Sequence, residues 1–422
     1  MSQQKALIFH HGIVGSGGSE RITLEEEKYF NAMGIETEIL SFHFNPAVFY
    51  GSYTPKLRLL QPGMLSSSMP VNIFKKIICL RKVIREIQPD FILGSGEVAS
   101  IYLFFATLFT KHSYSTHVPQ TIFWDLETYG DVWDTTPFLL GRYSLVFKSV
   151  YAQIRNATAG HMESLPPTPP HMSFRKRILA EALGLATFIG ARRARYLFVH
   201  SNIMAWEVEK MYRRNAVVLK GAYPRSVITY KPNEDVKERL SIRGKKMILS
   251  ICRLTEKKRV DLTIRAFALL AAKRNDVALV VGGSGNAEEE LRALAESLHL
   301  QEKAFFAGFI HENKMYDYYS ACDVFVSADH ADYDITTYMA LGFGKKVVWS
   351  IENETDPNLL AEHGVFPAEL TPESFAEKMN DALESRIGSY RAADEFSWET
   401  YFQSIVQHLR SSALSTSGRV LL

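Results

Sequence analysis

Hydrophobic runs and polar, helix-forming segments alternate regularly in the second half of the chain. Short apolar runs such as MILSICRL, VALVVGG, VFVSAD and KKVVWS are separated by segments with helical spacing, such as VDLTIRAF and AEEELRALAESLHL. These runs are too continuously apolar to have a face in water, so the pattern predicts a parallel sheet with helices on both sides. Ligands of such sheets bind at the carboxyl ends of the strands. We therefore expect a binding site just after the strands between residues 247 and 350.

The first half of the chain repeats the alternation, with strands predicted at KALIFHH, ETEILSF, FILGS and YLFVHS and helices between them. Residues 130–190 interrupt it with an aromatic-rich stretch and the turn-forming SLPPTPPHMS, which we interpret as an insertion. The predicted fold class is α/β, with two Rossmann-like doubly wound domains. They comprise residues 1–220 and residues 240–396, joined by a polar linker. Residues 397–422 are predicted to form a helix, with Ser397 as its N-cap, and a loose tail.

Composition and charge exclude several classes of protein. The 422 residues are 46% hydrophobic with a formal net charge of +2, which is typical of a folded two-domain chain and predicts no nucleic-acid partner. The three cysteines lie far apart in apolar surroundings, which favours buried thiols over disulfides or a metal cluster. The N-terminus lacks a secretory signal pattern, and no uncharged apolar run approaches the ~20 residues of a membrane helix. A cytoplasmic protein is expected.

Two segments combine basic and apolar residues in the pattern of helices that lie on membranes. They are VNIFKKIICLRKVIREI, from Val71, and the segment from Met172 to Arg195. Helices of this kind are drawn to anionic lipid, although a core-packed helix with a solvated basic face has the same pattern. Peripheral contact with the cytoplasmic membrane surface is therefore one expectation, and ordinary packing is the alternative.

Arg253 and Lys258 lie at the turn that follows the predicted strand MILSICRL. Two cations at this position suit a diphosphate, whose negative charge they stabilise. The alternative is a solvated surface cluster with Lys257 and Arg259. We predict that Arg253 and Lys258 bind a diphosphate and act in catalysis.

Two glycine-rich turns also lie between a predicted strand and a predicted helix. GSGG contains Gly17 and Gly18, and GGSG contains Gly283 and Gly285. Because a glycine lets backbone N–H groups approach a ligand, all four are candidate binding residues, although a tight turn explains them nearly as well. Neither turn fits the dinucleotide fingerprint, since a glutamate stands where its third glycine is required. A dehydrogenase is therefore disfavoured.

His117 precedes Pro119 in STHVPQTIFWD, a run expected to leave a sheet strand towards a binding cleft. A histidine there can hydrogen-bond a ligand hydroxyl or stabilise charge at a reacting centre, so His117 is a candidate catalytic residue. Lone histidines more often serve packing, and the roles of His10, His11 and His43 stay open.

These motifs, in this order, resemble the retaining glycosyltransferases of family 4, which have the two-domain GT-B fold. The resemblance rests on GSGGSER, STHVPQTIFWD, RLTEKKRVDLTIRAF and the terminal FSWETY, and is strongest from Met247 to Ser350. It implies transfer of a sugar from a nucleotide-sugar donor to a glycan or lipid-linked acceptor, in a cleft between the domains. It also implies attack by the acceptor hydroxyl on the face that the phosphate leaves, without an enzymic nucleophile. Cations replace a bound metal in such enzymes, so no cofactor is expected.

The resemblance breaks down at two positions of the second domain. Family members carry two glutamates eight positions apart, which contact the donor sugar and the nucleotide ribose, and Ala331 and Met339 stand in their places. Each such carboxylate contributes hydrogen bonds of roughly 1.5–3 kcal/mol, so their loss weakens a donor site of the usual kind. The favoured interpretation is an active enzyme in which Asp332, Asp334 or Tyr338 supplies the missing donor contacts. The alternative is a catalytically inactive protein of this fold that serves as a partner or regulatory subunit.

Overall fold

The computed structural model describes residues 3–14, 18–46, 54–61, 69–118, 174–220, 223–329, 335–351, 364–386 and 396–415. The chain divides into two compact units, the first comprising residues 1–219 and 401–422 and the second residues 220–400. Most of the insertion predicted at 130–190 lies outside the described residues, and a helix occupies its last part.

The first unit is built around a parallel sheet of seven strands. The strands are β1 (Lys5–His10), β2 (Glu36–Ser41), β3 (Leu57–Leu59), β4 (Phe91–Ser95), β5 (Ser115–His117), β6 (Leu197–Val199) and β7 (Val217–Val218). The helices are α1 (Gly18–Ala32), α2 (Met69–Ile87), α3 (Glu97–Thr107), α4 (Phe174–Arg193) and α5 (Asn202–Tyr212). The strand order is β3-β2-β1-β4-β5-β6-β7, so the chain leaves β1 first to one side and later to the other. The carboxyl end of β1 is therefore a topological switch point.

The second unit is built around a parallel sheet of six strands. The strands are β8 (Lys246–Ile251), β9 (Val277–Gly282), β10 (Ala304–Gly308), β11 (Val324–Ser327), β12 (Lys346–Ser350) and β13 (Val365–Ala368). The helices are α6 (Val236–Arg239), α7 (Val260–Ala271), α8 (Glu288–Ser297), α9 (Glu312–Ala321), α10 (Ile335–Gly342) and α11 (Pro372–Glu384). The strand order is β10-β9-β8-β11-β12-β13, which places the switch point at the carboxyl end of β8. Phe267 of α7, Leu279 of β9 and Phe375 of α11 belong to one buried core.

The two doubly wound α/β domains predicted from the sequence are confirmed. The polar segment interpreted as a linker counts with the second unit, where hydrogen bonds hold it in place. The carbonyl oxygen of the buried Tyr223 accepts a hydrogen bond from the backbone N–H of Trp398 at 2.9 Å. Further along, the Asp317 carboxylate accepts hydrogen bonds from the Tyr230 hydroxyl at 2.9 Å and the Asn233 backbone N–H at 2.7 Å.

The last helix, α12 (Trp398–Ser415), counts with the first unit from Tyr401 onward. Ser397 is its N-cap, as predicted, because the Ser397 Oγ accepts a hydrogen bond from the backbone N–H of Thr400 at 3.2 Å. The side chains of Tyr401 and Phe402 are buried, so this helix contributes to the core.

Candidate functional site

The carboxyl end of the second sheet brings together residues that follow three neighbouring strands. Arg253 comes two residues after β8, Gly283 directly follows β9, and Asp329 comes two residues after β11. Lys258 ends a short 3₁₀ helix, Glu256–Lys258, in the loop after β8. Because β8 lies between β9 and β11, these residues share one edge of one sheet.

Lys258 is held by an ion pair with Asp329. The Lys258 Nζ donates a hydrogen bond to Oδ2 of Asp329, and the two side chains are only 15% and 3% exposed. Removal of one partner from such a buried pair leaves an uncompensated charge, at a cost of about 3–5 kcal/mol. Asp329 therefore fixes the ammonium group at the ends of the strands and neutralises part of its charge.

Arg253 lies exposed at the same edge. Among the described residues, its guanidinium forms no hydrogen bond or ion pair. The flanking backbone is fixed, because Cys252 and Leu254 donate N–H hydrogen bonds to the carbonyl oxygens of Gly282 at 3.1 Å and Ser284 at 3.0 Å. A guanidinium presents N–H donors in a rigid fork that matches phosphate oxygens. Arg253 thus offers these donors from a loop with a constrained backbone.

Gly283 and Gly285 allow the turn after β9 to lie directly against the loop of Arg253. A Cβ on Gly283 would be 1.8 Å from the carbonyl oxygen of Cys252, and one on Gly285 would be 2.1 Å from that of Leu254. Gly283 also has a φ of +126°, which residues with a side chain rarely adopt. Close packing of two loops therefore accounts for both glycines, and their contact with a donor stays a prediction.

The helix α10 carries Tyr338 and Met339, both of which are buried. The Tyr338 ring stacks on Phe396 with ring centroids 5.2 Å apart, so the ring is part of the core. Met339 is 1% exposed, which leaves an apolar side chain where the resemblance requires a carboxylate. Asp332 and Asp334 lie outside the described residues. The donor contacts proposed for Tyr338 and the two aspartates stay predictions.

His117 ends β5 in the first unit and is buried. Its Nε2 lies 3.0 Å from Oε1 of Glu26, and its Nδ1 lies 3.4 Å from the hydroxyl of Tyr401. His200 also stacks on Tyr401, and burial, together with the charge of His117, lowers the pKa of His200 to about 3. This buried network gives His117 a packing role, and its catalytic role stays a prediction.

Two carboxylates that the sequence does not single out as partners organise these residues. Asp329 pairs with Lys258, and Glu26 pairs with His117. Asp329 has only its place after a strand to mark it, and Glu26 is one of three consecutive glutamates in α1. Sequence spacing therefore does not tell which acid meets which base.

The glycine-rich turn after β1 is described only in part. Gly17 lies outside the described residues, and Gly18 is the first residue of α1. The first turn of α1 contains Glu20, which the positive end of the helix dipole favours. Ligand binding by Gly17 and Gly18 stays a prediction.

Most of the second unit is similar to a known protein family. The family model described as Glycosyl transferases group 1 matches residues 232–397, which include Arg253, Lys258 and Asp329. Residues 232–397 therefore match the glycosyl transferases group 1 family.

Parts of the chain are similar to parts of curated proteins. Alpha-monoglucosyldiacylglycerol synthase of Streptococcus pneumoniae is 31% identical over 117 residues, which is 27% of this chain and 26% of that protein. N-acetylgalactosamine-N,N'-diacetylbacillosaminyl-diphospho-undecaprenol 4-alpha-N-acetylgalactosaminyltransferase of Campylobacter jejuni is 41% identical over 83 residues, 20% of this chain and 21% of that protein. The chain thus spans about a quarter or less of the length of these two relatives.

The similarity to solved structures covers both units and is not limited to residues 232–397. A glycosyltransferase from Rickettsia africae superposes with a TM-score of 0.69 at 14% identity, covering 97% of this chain and 98% of that one. WaaG, a glycosyltransferase involved in lipopolysaccharide biosynthesis, superposes with a TM-score of 0.63 at 15% identity, covering 98% and 100%. At these identities the likeness shows the fold alone, and it is the GT-B fold expected from the sequence.

The residues that the structure describes lack two features. None of their helices combines the length and the apolar character needed to cross a membrane. The same residues contain no group of three or more His, Cys, Asp or Glu side chains arranged to hold a metal ion.

Proposed function

We propose that the protein is a retaining glycosyltransferase that moves a sugar from a nucleotide-sugar donor to a glycan or lipid-linked acceptor. The observation that carries the proposal is the family match over residues 232–397, within which the exposed Arg253 lies on the same sheet edge as the Lys258–Asp329 pair. The relatives described above are named for glucosyl and N-acetylgalactosaminyl transfer. A structurally similar protein from Anabaena was solved in complex with UDP-glucose.

The donor diphosphate is assigned to Arg253 and Lys258. As the bond between the anomeric carbon and the phosphate oxygen breaks, negative charge grows on the leaving diphosphate. The forked guanidinium of Arg253 and the ammonium of Lys258 stabilise that charge, and Asp329 keeps Lys258 in place. A pair of positioned cations supplies stabilisation of the kind that a bound metal supplies in other transferases, so no cofactor is part of the proposal.

The acceptor hydroxyl attacks the anomeric carbon on the face that the phosphate leaves. A bond forms between the acceptor oxygen and that carbon, and the hydroxyl proton passes to the departing phosphate oxygen. The chain needs no nucleophile of its own in this scheme. His117 is proposed to act in catalysis, with its ring oriented by Glu26 and by the hydroxyl of Tyr401.

Donor hydroxyls require partners other than the two glutamates of the family. Ala331 and Met339 provide no carboxylate, so Asp332, Asp334 and the hydroxyl of Tyr338 are the residues proposed to bind the sugar and the ribose. These three assignments rest on their sequence positions around the start of α10. They are independent of the diphosphate assignment, which would stand even if these three residues did not bind the donor.

The acceptor is proposed to be presented at a membrane surface. The helix α2 exposes the apolar Phe74 and Ile78, which are 64% and 51% exposed, and Phe109 just after α3 is 92% exposed. Exposed apolar side chains on a helix that also carries lysines and arginines suit binding to anionic lipid. The names of the two relatives include diacylglycerol and undecaprenol, which are lipids.

The proposal is tested by thermal stabilisation with UDP, GDP, ADP and their sugar conjugates, together with release of nucleoside diphosphate from the conjugates. A ligand at ~100 times its dissociation constant adds about 2.7 kcal/mol of stability, which is easily measured. Arg253→Ala and Lys258→Ala are expected to lose about 10-fold to 100-fold in affinity, whereas Arg265→Ala, an exposed arginine of α7, keeps it. Nucleotide binding without release of nucleoside diphosphate would contradict the proposed enzymatic activity. The absence of thermal stabilisation by any nucleotide would contradict the proposed donor site.

A further inference from the structure

Three histidines and one lysine lie together at the carboxyl ends of β1 and β2 in the first unit. His10 ends β1, His11 follows it, and His43 comes two residues after β2. Lys76 reaches the same place from α2, with its Nζ 3.4 Å from Nε2 of His11. The ring centroids of His11 and His43 are 5.9 Å apart. This histidine cluster, made of these four residues, lies at the switch point of the first sheet, where ligands of such sheets bind.

Lys76 brings a positive charge to the histidine cluster. Burial lowers the pKa of Lys76, and its ammonium group lies 4.8 Å from the centre of the Phe42 ring instead of meeting a carboxylate among the described residues. Burial, followed by the charges of Lys76, His43 and His10, lowers the pKa of His11 to about 4. Burial also lowers the pKa of His10, against the smaller raising effect of Glu20 at the start of α1. A half-buried cation of this kind is stabilised by an anion.

Hydrogen-bond donors are available in the cluster. The Nε2 of neutral His11 accepts from Lys76, which leaves the ring proton on Nδ1. The Nδ1 of His10 accepts from the backbone N–H of Gly12 at 3.3 Å, which leaves its proton on Nε2. Tyr102 of α3 packs against the His11 ring with centroids 5.3 Å apart and limits its movement. Donors from several elements can approach the oxygens of a tetrahedral phosphate from different sides.

We propose that the histidine cluster binds a phosphate group carried by the acceptor. The inference rests on the proposed glycosyl transfer and names the class of its acceptor, a phosphorylated sugar or a lipid with a phosphate-containing head group. Lys76 supplies the charge, and His11 and His43 supply hydrogen bonds. The hydroxyl that receives the sugar lies elsewhere on the same acceptor.

The test follows the imidazole resonances of the full-length protein, labelled at histidine, during titration with inorganic phosphate. A residue-specific signal is needed because inorganic phosphate is also expected to bind at the proposed diphosphate site of Arg253 and Lys258. We expect saturable shifts of the His11 and His43 resonances and a rise in the pKa of His11, since a bound anion favours the protonated ring. Absence of these shifts, or an equal response to acetate, would overturn the phosphate assignment.

Lys76→Met tests the role of the charge, because methionine keeps most of the side-chain length over Phe42 and removes the ammonium group. Phosphate affinity is expected to fall about 10-fold to 100-fold. Lys82→Met, at an exposed position of the same helix, is the matched control and is expected to bind phosphate normally. Circular dichroism of both variants confirms that they fold, and Lys76→Arg, which keeps the charge, is expected to restore binding. Equal affinity in Lys76→Met and the wild type would refute the proposal.

Two competition experiments identify the source of the phosphate. A hexose phosphate that displaces inorganic phosphate from His11 points to a soluble acceptor, and vesicles containing phosphatidic acid that displace it point to a lipid. Failure of both overturns the assignment to an acceptor.

Nucleotide binding measured on the same samples separates the proposed glycosyl transfer from the proposed phosphate site. Phosphate shifts without nucleotide binding would defeat the glycosyl transfer, and nucleotide binding without phosphate shifts would defeat only the histidine cluster.

Discussion

Lys258 and Asp329 form a nearly buried ion pair between the loop after β8 and the end of β11. The two residues are 71 positions apart in the chain, and adjacent strands of the second sheet bring them together. The pair gives the proposed diphosphate site a fixed ammonium group. It also makes the site part of the stability of the unit, because neither charge is solvated enough to stand alone.

Asp329→Ala is expected to lower the free energy of unfolding by about 3–5 kcal/mol, because the nearly buried Lys258 ammonium loses the carboxylate with which it forms an ion pair. Lys258→Met is expected to lower the free energy of unfolding by a similar amount, because the Asp329 carboxylate then loses the Lys258 ammonium. The double variant Lys258→Met, Asp329→Ala should lose less than the sum of the two, since neither charge remains. Urea unfolding of the four proteins measures the coupling.

The exposed pair of Lys378 with Asp381 on α11 is the control for this prediction. These side chains are 31% and 42% exposed, so Asp381→Ala is expected to cost less than about 1 kcal/mol. If Asp329→Ala and Asp381→Ala cost the same, the pair of Lys258 with Asp329 does not stabilise the unit in the way described.

Gly283→Ala is expected to disrupt the turn beside Arg253, because its new Cβ would lie 1.8 Å from the carbonyl oxygen of Cys252. Gly244→Ala is the matched control, since Gly244 also has a positive φ, of +80°, but has no atom within 4 Å of a built Cβ. The control should cost only the backbone strain, about 1–2 kcal/mol. Gly283→Ala should cost clearly more and should also weaken nucleotide binding, as thermal unfolding with and without nucleotide would show. Equal losses in the two variants would argue against the close contact.

Local patterns predict the elements of this protein but not the pairs that hold its sites. The apolar runs at β8, β9 and β11 are continuous, so their burial on both faces is readable from the sequence. The partners of His117 and Lys258 are not readable, because Glu26 is 91 residues from His117 and the contact depends on how α1 packs. The glycines of the β9 turn are intermediate. Their presence is visible in the sequence, whereas the reason for them, two loops in contact, needs the tertiary structure.

The buried His200 is expected to make the first unit sensitive to acid. Its pKa is lowered from 6.5 to about 3, first by burial and then by the charge of His117. Between these values the unfolded chain binds a proton that the folded chain does not, so stability falls as the pH falls below the unfolded value. The contribution is up to about 1.4 kcal/mol per pH unit.

His200→Gln removes this titration and should flatten the pH dependence, even if the variant is less stable near pH 7. Amide hydrogen exchange of β5 and β6, measured at several pH values between about 4 and 7, reports on the unit that contains the residue. His10 and His11, whose pKa values are also lowered by burial, contribute to the slope that remains. An unchanged slope in His200→Gln would show that His200 does not carry the effect.

Phe74 and Ile78 are expected to insert into a lipid surface if α2 meets one. They lie four positions apart on a helix, so they share a face, and α2 packs on α3, which precedes the exposed Phe109. Replacing both by serine removes apolar area that a membrane would bury, worth about 1 kcal/mol each at their exposure, so vesicle affinity should fall roughly 30-fold. Co-sedimentation with vesicles of anionic phospholipid measures this loss. Phe309→Ser, at a residue that is 49% exposed in the second unit, controls for a general loss of apolar surface.

Because the substitutions in α2 leave Lys76 and the histidines in place, binding of inorganic phosphate should persist. A loss of vesicle binding without a loss of phosphate binding would therefore assign membrane contact and phosphate recognition to different residues of the same unit.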